Sequence, residues 1–223
     1  MLADTAQLQR WRQLLDSPGE PADAAASRHT LATATGRPLL VAAVGAAVAS
    51  DVAGRPVDGP PRWTLRPPSR LPAAEGLVVA ADVWLAYVDS LNGDAAAEAW
   101  LRQMIDALAP TALVFTADDN PEPWWQAEMI ILHALHSFAL RSRDRDLVDK
   151  TLACADFHLR EIQPDHATNE PWAVHAYASH FDGNVTAETL WHAAYIQHGG
   201  APGPVARLLA REASASLAMW LGR

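Results

Sequence analysis

Residues 120–141 read NPEPWWQAEMIILHALHSFALR, and this stretch decides the fold class of the chain. Its apolar residues recur every three or four positions, which is the spacing of one face of a helix. Asn120 followed by proline is a common way for a helix to begin. The stretch is apolar around most of its circumference, so it predicts a central helix from Pro121 to Arg141. Three polar residues mark the narrow face that we expect to meet solvent: Gln126, Ser137 and Arg141.

The rest of the chain continues the helical pattern. Strand signals are almost absent, because the one β-like run, residues 113–116, is only four residues long. Short links between consecutive helices favour antiparallel hairpins. We therefore predict an all-α fold of stacked antiparallel helical hairpins. Periodicity and helix-end signals predict the further helices over residues 4–16, 39–51, 73–91, 94–108, 144–162, 169–181, 186–197 and 204–221.

A single domain accounts for the whole length of 223 residues, which is within the range of one large domain. Residues 54–72 contain six prolines and two glycines, which exclude regular structure over most of that segment. The sequence therefore predicts one all-helical domain, residues 1–223, with an irregular proline-rich connection at 54–72.

Composition and charge exclude several classes of partner. Half of the residues are apolar and 19% are charged, as in folded proteins. The net charge of −9, without a basic cluster, excludes a nucleic-acid partner, because phosphates are bound by Lys and Arg. The most apolar segment, residues 39–49, is shorter than the roughly 20 residues of a membrane helix, so no membrane partner is expected. One cysteine, Cys154, and a start without a secretory signal predict a cytoplasmic protein.

The helix over 73–91 carries a broad apolar face, which we predict to be part of the core. A homo-oligomer contact is the alternative use of the same face. The face consists of Leu77, Val78, Ala81, Trp84, Leu85 and Val88.

Histidines concentrate in the C-terminal half, where eight of the nine lie between His133 and His198. On the helix over 121–141, Glu128 and His136 fall inside the apolar stripe and His133 at its edge. Eight residues separate Glu128 from His136, about 12 Å along a helix axis, so they cannot pair with each other. Each needs another partner, because an unsatisfied buried polar group costs about 1–3 kcal/mol.

The next two predicted helices and the loop between them also carry histidines, at buried or pocket-facing positions. His158 lies near the middle of the apolar face of the helix over 144–162, and a hairpin with the preceding helix is expected to bring it to the layer of His136. The loop after it supplies Asp165 and His166. The helix over 169–181 sets three side chains on one polar and aromatic face, as in a pocket wall: Trp172, His175 and Ser179.

Imidazole and carboxylate groups suit both general acid–base chemistry and divalent metals such as zinc, although no specific metal motif is present. Cys154 sits among alanines and is expected to be an inert core thiol. The candidate catalytic residues are Glu128, His136, His158 and His166. The candidate substrate-binding residues are Trp125, Trp172 and His175. The candidate metal ligands are His133, His136, His158, Asp165 and His166.

Glu-Pro-Trp occurs at 122–124 and again at 170–172, each time opening a predicted helix, and the second copy follows the loop QPDHAT at 163–168. Two explanations are open. Each copy is an ordinary helix start, with Asn as the cap and Pro in the first turn, or the two copies belong to an internal repeat. With the buried Glu and His, these features resemble the α/α-toroid proteins, the group that contains terpene cyclases and protein prenyltransferases. The resemblance covers residues 120–197 and implies a partial α/α toroid, without assigning any catalytic residue.

Two functions follow from these patterns. In the first, the C-terminal half forms a pocket lined by Trp, His and acidic residues, and performs metal-assisted or acid–base chemistry on a small organic molecule. In the second, the protein is a non-enzymatic helical scaffold or adaptor for a protein partner, and each histidine fills space and hydrogen-bonds a backbone carbonyl or a neighbouring acid.

Overall fold

The computed structural model describes residues 1–17, 73–91, 93–107, 122–162, 170–197, 200 and 202–222. The predicted helix over 39–51, the proline-rich connection at 54–72, the run at 113–116 and the loop at 163–168 lie outside the described residues.

Eight α-helices and one π-helical turn make up most of the described residues, which confirms the all-α prediction. The helices are α1 (Thr5–Asp16), α2 (Ala73–Leu91), α3 (Ala95–Ala107), α4 (Glu122–Ser142), α5 (Arg145–Phe157), α6 (Val174–Ser179), α7 (Asn184–Gln197) and α8 (Pro204–Leu221), with the π-helical turn at His158–Ile162. One antiparallel bridge, between Leu2 and His180, is the extended pairing found in the described part. No helix there is long and apolar enough to span a membrane.

Capping groups explain where several helices begin. The Asp4 carboxylate accepts the Gln7 N–H at 2.7 Å at the start of α1. Asp144 accepts two backbone N–H groups of the first turn of α5, and α8 begins at Pro204, whose missing N–H is no loss in a first turn. Local sequence therefore determines these boundaries.

Most described helices lie within two residues of their predicted bounds, and two differ by more. The helix expected over 144–162 is α5 followed by the π-helical turn. The helix expected over 169–181 begins only at Val174, because Ala173 takes a left-handed conformation with φ of 55°. That conformation costs an alanine roughly 1–2 kcal/mol and interrupts the helical path, so Trp172 lies in a turn before α6.

Helix α4 lies at the centre of the described structure, as predicted, and packs against α2, α3, α5, α6 and α8. Residues 129–140 are all buried. The expected solvent exposure was wrong for Ser137, which is fully buried, and for Arg141, which is half-buried. Helix α8 covers both residues, and its Glu212 carboxylate accepts hydrogen bonds from them. The Gln126 side chain lies outside the side chains that the structure describes.

Among consecutive helices of the described part, the most extensive packing is between α2 and α3, between α4 and α5, and between α6 and α7. Helix α2 ends at Leu91 and α3 begins at Ala95, and α4 ends at Ser142 and α5 begins at Arg145, so both links are short, as expected for hairpins. The toroid arrangement, the repeat and the homo-oligomer contact stay predictions. In α2, Trp84 and Val88 are buried, in agreement with the predicted core face.

Substituting Gly183 with alanine is expected to lower the free energy of unfolding by about 1–3 kcal/mol, a typical cost of overpacking. A Cβ atom at Gly183 would lie 2.2 Å from the Tyr177 carbonyl oxygen, so the backbone must shift. At Gly222 the nearest contact of such a Cβ atom is 3.2 Å, which makes Gly222→Ala the matched control. Urea denaturation of both variants checks this, and equal losses would contradict it.

Candidate functional site

Two groups of buried polar side chains lie against α4. The first, here the Glu212 cluster, consists of Tyr87, His133, His136, Ser137, Arg141, His175 and Glu212. The second, here the Glu128 cluster, consists of Glu128, Cys154 and His158.

The Glu212 carboxylate is the centre of the first cluster. Its Oε2 accepts a hydrogen bond from Ser137 Oγ at 2.5 Å. Its Oε1 accepts hydrogen bonds from the Tyr87 hydroxyl and from Nε and Nη2 of Arg141, the latter two at 3.2 and 3.1 Å. Ser216 Oγ lies 2.9 Å from the same oxygen. One carboxylate of α8 is thus bonded to side chains of α2 and α4.

These contacts keep Glu212 ionised. Burial raises the pKa of its carboxyl group, but the contact with His133, the charge of Arg141 and the Ser137 hydroxyl outweigh burial and lower the pKa to about 2. Burial, followed by the negative charge of Glu212, raises the pKa of the Tyr87 hydroxyl well above its ordinary value. At neutral pH a protonated phenol therefore donates to an ionised carboxylate.

Hydrogen bonding determines which nitrogen of His133 carries the proton. The backbone N–H of Ala173 donates to His133 Nδ1 at 3.0 Å, so Nδ1 must present a lone pair. The proton then lies on Nε2, which is 3.4 Å from Glu212 Oε2. The alignment of Nε2 with that oxygen is too poor for a regular hydrogen bond. The left-handed Ala173 therefore orients this imidazole.

His175 and His136 flank His133, with ring centroids of His175 4.4 Å from His133 and 5.1 Å from His136. His175 Nε2 lies 2.9 Å from Ser137 Oγ, and because that hydroxyl donates to Glu212, Nε2 is the donor in this pair. His136 Nδ1 lies 2.8 Å from the hydroxyl oxygen of Thr151.

Both flanking imidazoles are neutral at physiological pH. Burial, and then the neighbouring His133, lower the pKa of His136 to about 3. Burial, His133, His136 and Arg141 lower the pKa of His175 well below its ordinary value. Four buried nitrogens in this group of rings have no hydrogen-bond partner among the described residues: His133 Nε2, His136 Nε2, His175 Nδ1 and Trp172 Nε1.

The Glu128 cluster joins α4 to α5. Cys154 lies in the last turn of α5, and His158, four residues later, is the residue that caps α5 and begins the π-helical turn, so both lie on the same side of this segment. Glu128 approaches from α4. His158 Nε2 lies 3.4 Å from Glu128 Oε2, and one ligand atom from each of the three residues lies within 4.8 Å of the others. All three are buried, and burial followed by the Glu128 charge raises the pKa of the Cys154 thiol well above its ordinary value.

The predicted meeting of His136 and His158 was wrong. In an antiparallel hairpin, residues at equal distances from the turn lie opposite each other. His136 is seven residues before Arg143 and lies opposite Thr151, whereas Glu128 is fifteen residues before it and lies opposite His158, fifteen residues after.

The other predicted residues divide as follows. His133, His136 and His175 come together, and Trp172 lies beside them with its ring centroid 5.8 Å from that of His133. Trp172 and His175 are fully buried in the helical core. Three candidates lie outside the side chains that the structure describes: Trp125, Asp165 and His166.

Sequence reasoning missed Glu212 and Tyr87, and treated Cys154 as inert. A signal for Glu212 was available, because it falls in the apolar stripe of α8 beside Leu209 and Ala213. No comparable signal pointed to Tyr87, which is an ordinary member of an apolar face.

Comparison with known proteins gives no relative. No protein-family model, curated protein or solved structure matches the chain. Its function therefore rests on the chemistry of the two clusters.

Proposed function

We propose that this protein is a metal-dependent enzyme acting on a small organic molecule, with its metal bound by Glu128, Cys154 and His158. The observation that carries the proposal is the convergence of a carboxylate, a thiol and an imidazole, with ligand atoms within 4.8 Å of one another in the core. These are the three side-chain types that bind zinc in proteins.

The spacing of these groups suits a tetrahedral ion. Zinc bonds of about 2.0–2.3 Å place neighbouring ligand atoms about 3.3–3.8 Å apart. The separation of 3.4 Å between His158 Nε2 and Glu128 Oε2 already matches that spacing. Only small side-chain movements are then needed to complete the site.

The hydrogen bonding of His158 is also compatible with a metal. An imidazole that binds a metal through Nε2 carries its proton on Nδ1. His158 Nδ1 has no hydrogen-bond partner among the described residues. No N–H group there donates to Nδ1, so this nitrogen is free to carry the proton. A bound cation would also favour the Cys154 thiolate, reversing the effect of burial and of Glu128 on this thiol.

A second group with metal-ligand spacing, His133, His175 and Glu212, is less suitable. Because Ala173 donates to His133 Nδ1, the opposite nitrogen holds a proton and offers no lone pair. Donors from the protein already surround both oxygens of Glu212. This group works instead as a hydrogen-bonded network.

Three protein ligands leave one position of a tetrahedral zinc ion for water or substrate, and a zinc ion supplies Lewis acidity and a bound water of pKa about 7. A thiolate ligand favours zinc or cobalt over magnesium or calcium. The reaction class is therefore metal-assisted hydrolysis of, or addition to, a small organic molecule. A reducing cytoplasm suits this assignment, since it would keep Cys154 unoxidised.

Cobalt titration of the metal-free protein tests the site. We expect one equivalent of Co²⁺ to bind and to give a thiolate-to-cobalt charge-transfer band, which added Zn²⁺ abolishes. Cys154→Ser should lose that band, whereas the matched control His175→Gln, in the Glu212 cluster, should keep it. Absence of binding, or a band that survives Cys154→Ser, would overturn the metal assignment.

Turnover is tested separately with chromogenic esters and phosphoesters. The zinc-loaded protein should hydrolyse at least one of these compounds, and Cys154→Ser should not. Metal binding without any turnover would leave a metal site and remove the enzymatic part of the proposal.

A non-enzymatic scaffold is the second candidate. The closed hydrogen-bonded network around Glu212 favours it, because that network links four helices, α2, α4, α6 and α8, and uses its histidines structurally. Under this alternative the Glu128 cluster binds no metal, and the pairs of consecutive helices extend as a partial α/α toroid that offers a concave surface to a protein partner.

A further inference from the structure

A single carboxylate connects helices that are far apart along the chain. Glu212 in α8 accepts hydrogen bonds from Tyr87, 125 residues earlier, and from Ser137, 75 residues earlier. Arg141 adds two more to the same side chain. The polar contacts that link α8 to α2 and α4 are therefore made by ionisable side chains gathered around Glu212.

The surrounding imidazoles fit only in their neutral forms. A proton added to His175 would occupy Nδ1, which has no hydrogen-bond acceptor among the described residues. The resulting cation would lie against His133, with a ring-centroid distance of 4.4 Å, and near the Arg141 charge. His136 is equally buried, and its unpartnered Nε2 would receive the proton.

We infer that the Glu212 cluster is an acid-sensitive latch, in which proton uptake by His136 and His175 releases α8 from α2 and α4. Among the described residues, the titratable and charged groups around these two imidazoles are His133 and Arg141 of α4 and Glu212 of α8. Tyr87 of α2 is hydrogen-bonded to the same Glu212 carboxylate. The negative charge of Glu212 opposes release, while the cationic Arg141 and a second protonated imidazole favour it. None of these residues belongs to the proposed metal site, so the two proposals are independent.

The direction of the pH effect follows from the folded-state pKa values. Both histidines have a folded pKa below the ordinary 6.5, that of His136 being about 3, so their contribution to stability is complete above pH 6.5 and is lost as the pH falls. Glu212 has a folded pKa of about 2, below its ordinary 4.5, so its contribution is lost only below pH 4.5. A release of α8 between pH 6.5 and 4.5 is therefore caused by protonation of the histidines and not of Glu212.

Hydrogen–deuterium exchange of the full chain, corrected for intrinsic exchange rates, measures this release. We expect the protection of amides in residues 204–221 to fall at least tenfold between pH 7 and pH 5. The upper limit is about tenfold per pH unit for each histidine. Residues 95–107 serve as the internal reference, because α3 contributes no side chain to the cluster. Unchanged protection of α8 over this range would overturn the latch.

Histidine variants test whether His136 and His175 are the groups that take up the protons. The double substitution His136→Gln with His175→Gln should flatten the pH dependence of α8 protection, whereas His192→Gln, at an exposed position of α7, should preserve it. The same pH dependence in the double variant would overturn the proposal. If that variant fails to fold, the imidazole NMR signals of the wild-type protein provide the test. A protein that stays folded while His136 and His175 titrate with midpoints near 6.5 would contradict the latch.

Discussion

Replacing Glu212 with alanine is expected to lower the free energy of unfolding by about 3–5 kcal/mol, the usual effect of removing one partner of a buried charged network. The substitution leaves the Ser137 and Tyr87 hydroxyl groups without their acceptor in the core. It also leaves the half-buried Arg141 guanidinium without its carboxylate. Hydrogen bonds to a charged acceptor are worth more than neutral ones, which adds to the loss.

Glu188→Ala is the matched control. Glu188 forms an ion pair with Arg10 at 2.6 Å and accepts a hydrogen bond from Asn184 at 3.1 Å. Because its side chain is 39% exposed and that of Arg10 is 62% exposed, its removal should cost under about 1 kcal/mol. Urea denaturation at pH 7.5 measures both variants. If the two substitutions cost the same, the Glu212 network does not hold α8 in place.

Replacing Trp172 with alanine is expected to cost about 3–5 kcal/mol, as for other fully buried large aromatic side chains. The Trp172 ring contacts Trp84 edge-on at a centroid distance of 5.6 Å and His133 at 5.8 Å. Removing the ring opens a cavity beside the imidazole that Ala173 orients. We therefore expect the three buried histidines to lose their fixed arrangement as well.

Phe181→Ala provides the comparison for this substitution. Phe181 lies nine residues further along the chain and is 59% exposed, so its truncation should change the free energy of unfolding by no more than about 0.5 kcal/mol. Chemical denaturation gives both free energies, and the imidazole NMR signals report the arrangement of the histidines. A small loss for Trp172→Ala, with unchanged imidazole signals, would show that the ring does not support the cluster.

The contact between Glu128 and His158 could have been predicted from the sequence. The turn at Arg143 and Asp144 is visible in it, and counting outward from that turn places His158 opposite Glu128 rather than His136. The predicted meeting of His136 with His158 was wrong because the helical projections describe which face a residue occupies and do not describe its height along the hairpin. Adding that height to the projections corrects the pairing.

The hydrogen bonds of Glu212 with Tyr87 and Ser137 could not have been predicted from the sequence. Tyr87 and Ser137 lie on helices that are separate from α8 in the chain, and their contact with Glu212 depends on how α8 crosses α4. The same packing buries Ser137, which the projection of α4 assigns to the solvent side. A tertiary contact thus reversed an inference drawn from one helix alone.

Local sequence patterns predicted most of the described helices, the central place of α4, and the burial of Glu128, His136 and His158. These properties follow from apolar periodicity and capping, which act between residues a few positions apart. The hydrogen-bond partners, in contrast, depend on tertiary packing: Thr151 for His136, Ser137 for His175, and Glu212 for the α2 and α4 side chains. Those choices depend on the rotation and height at which whole helices pack, and no local pattern specifies either quantity.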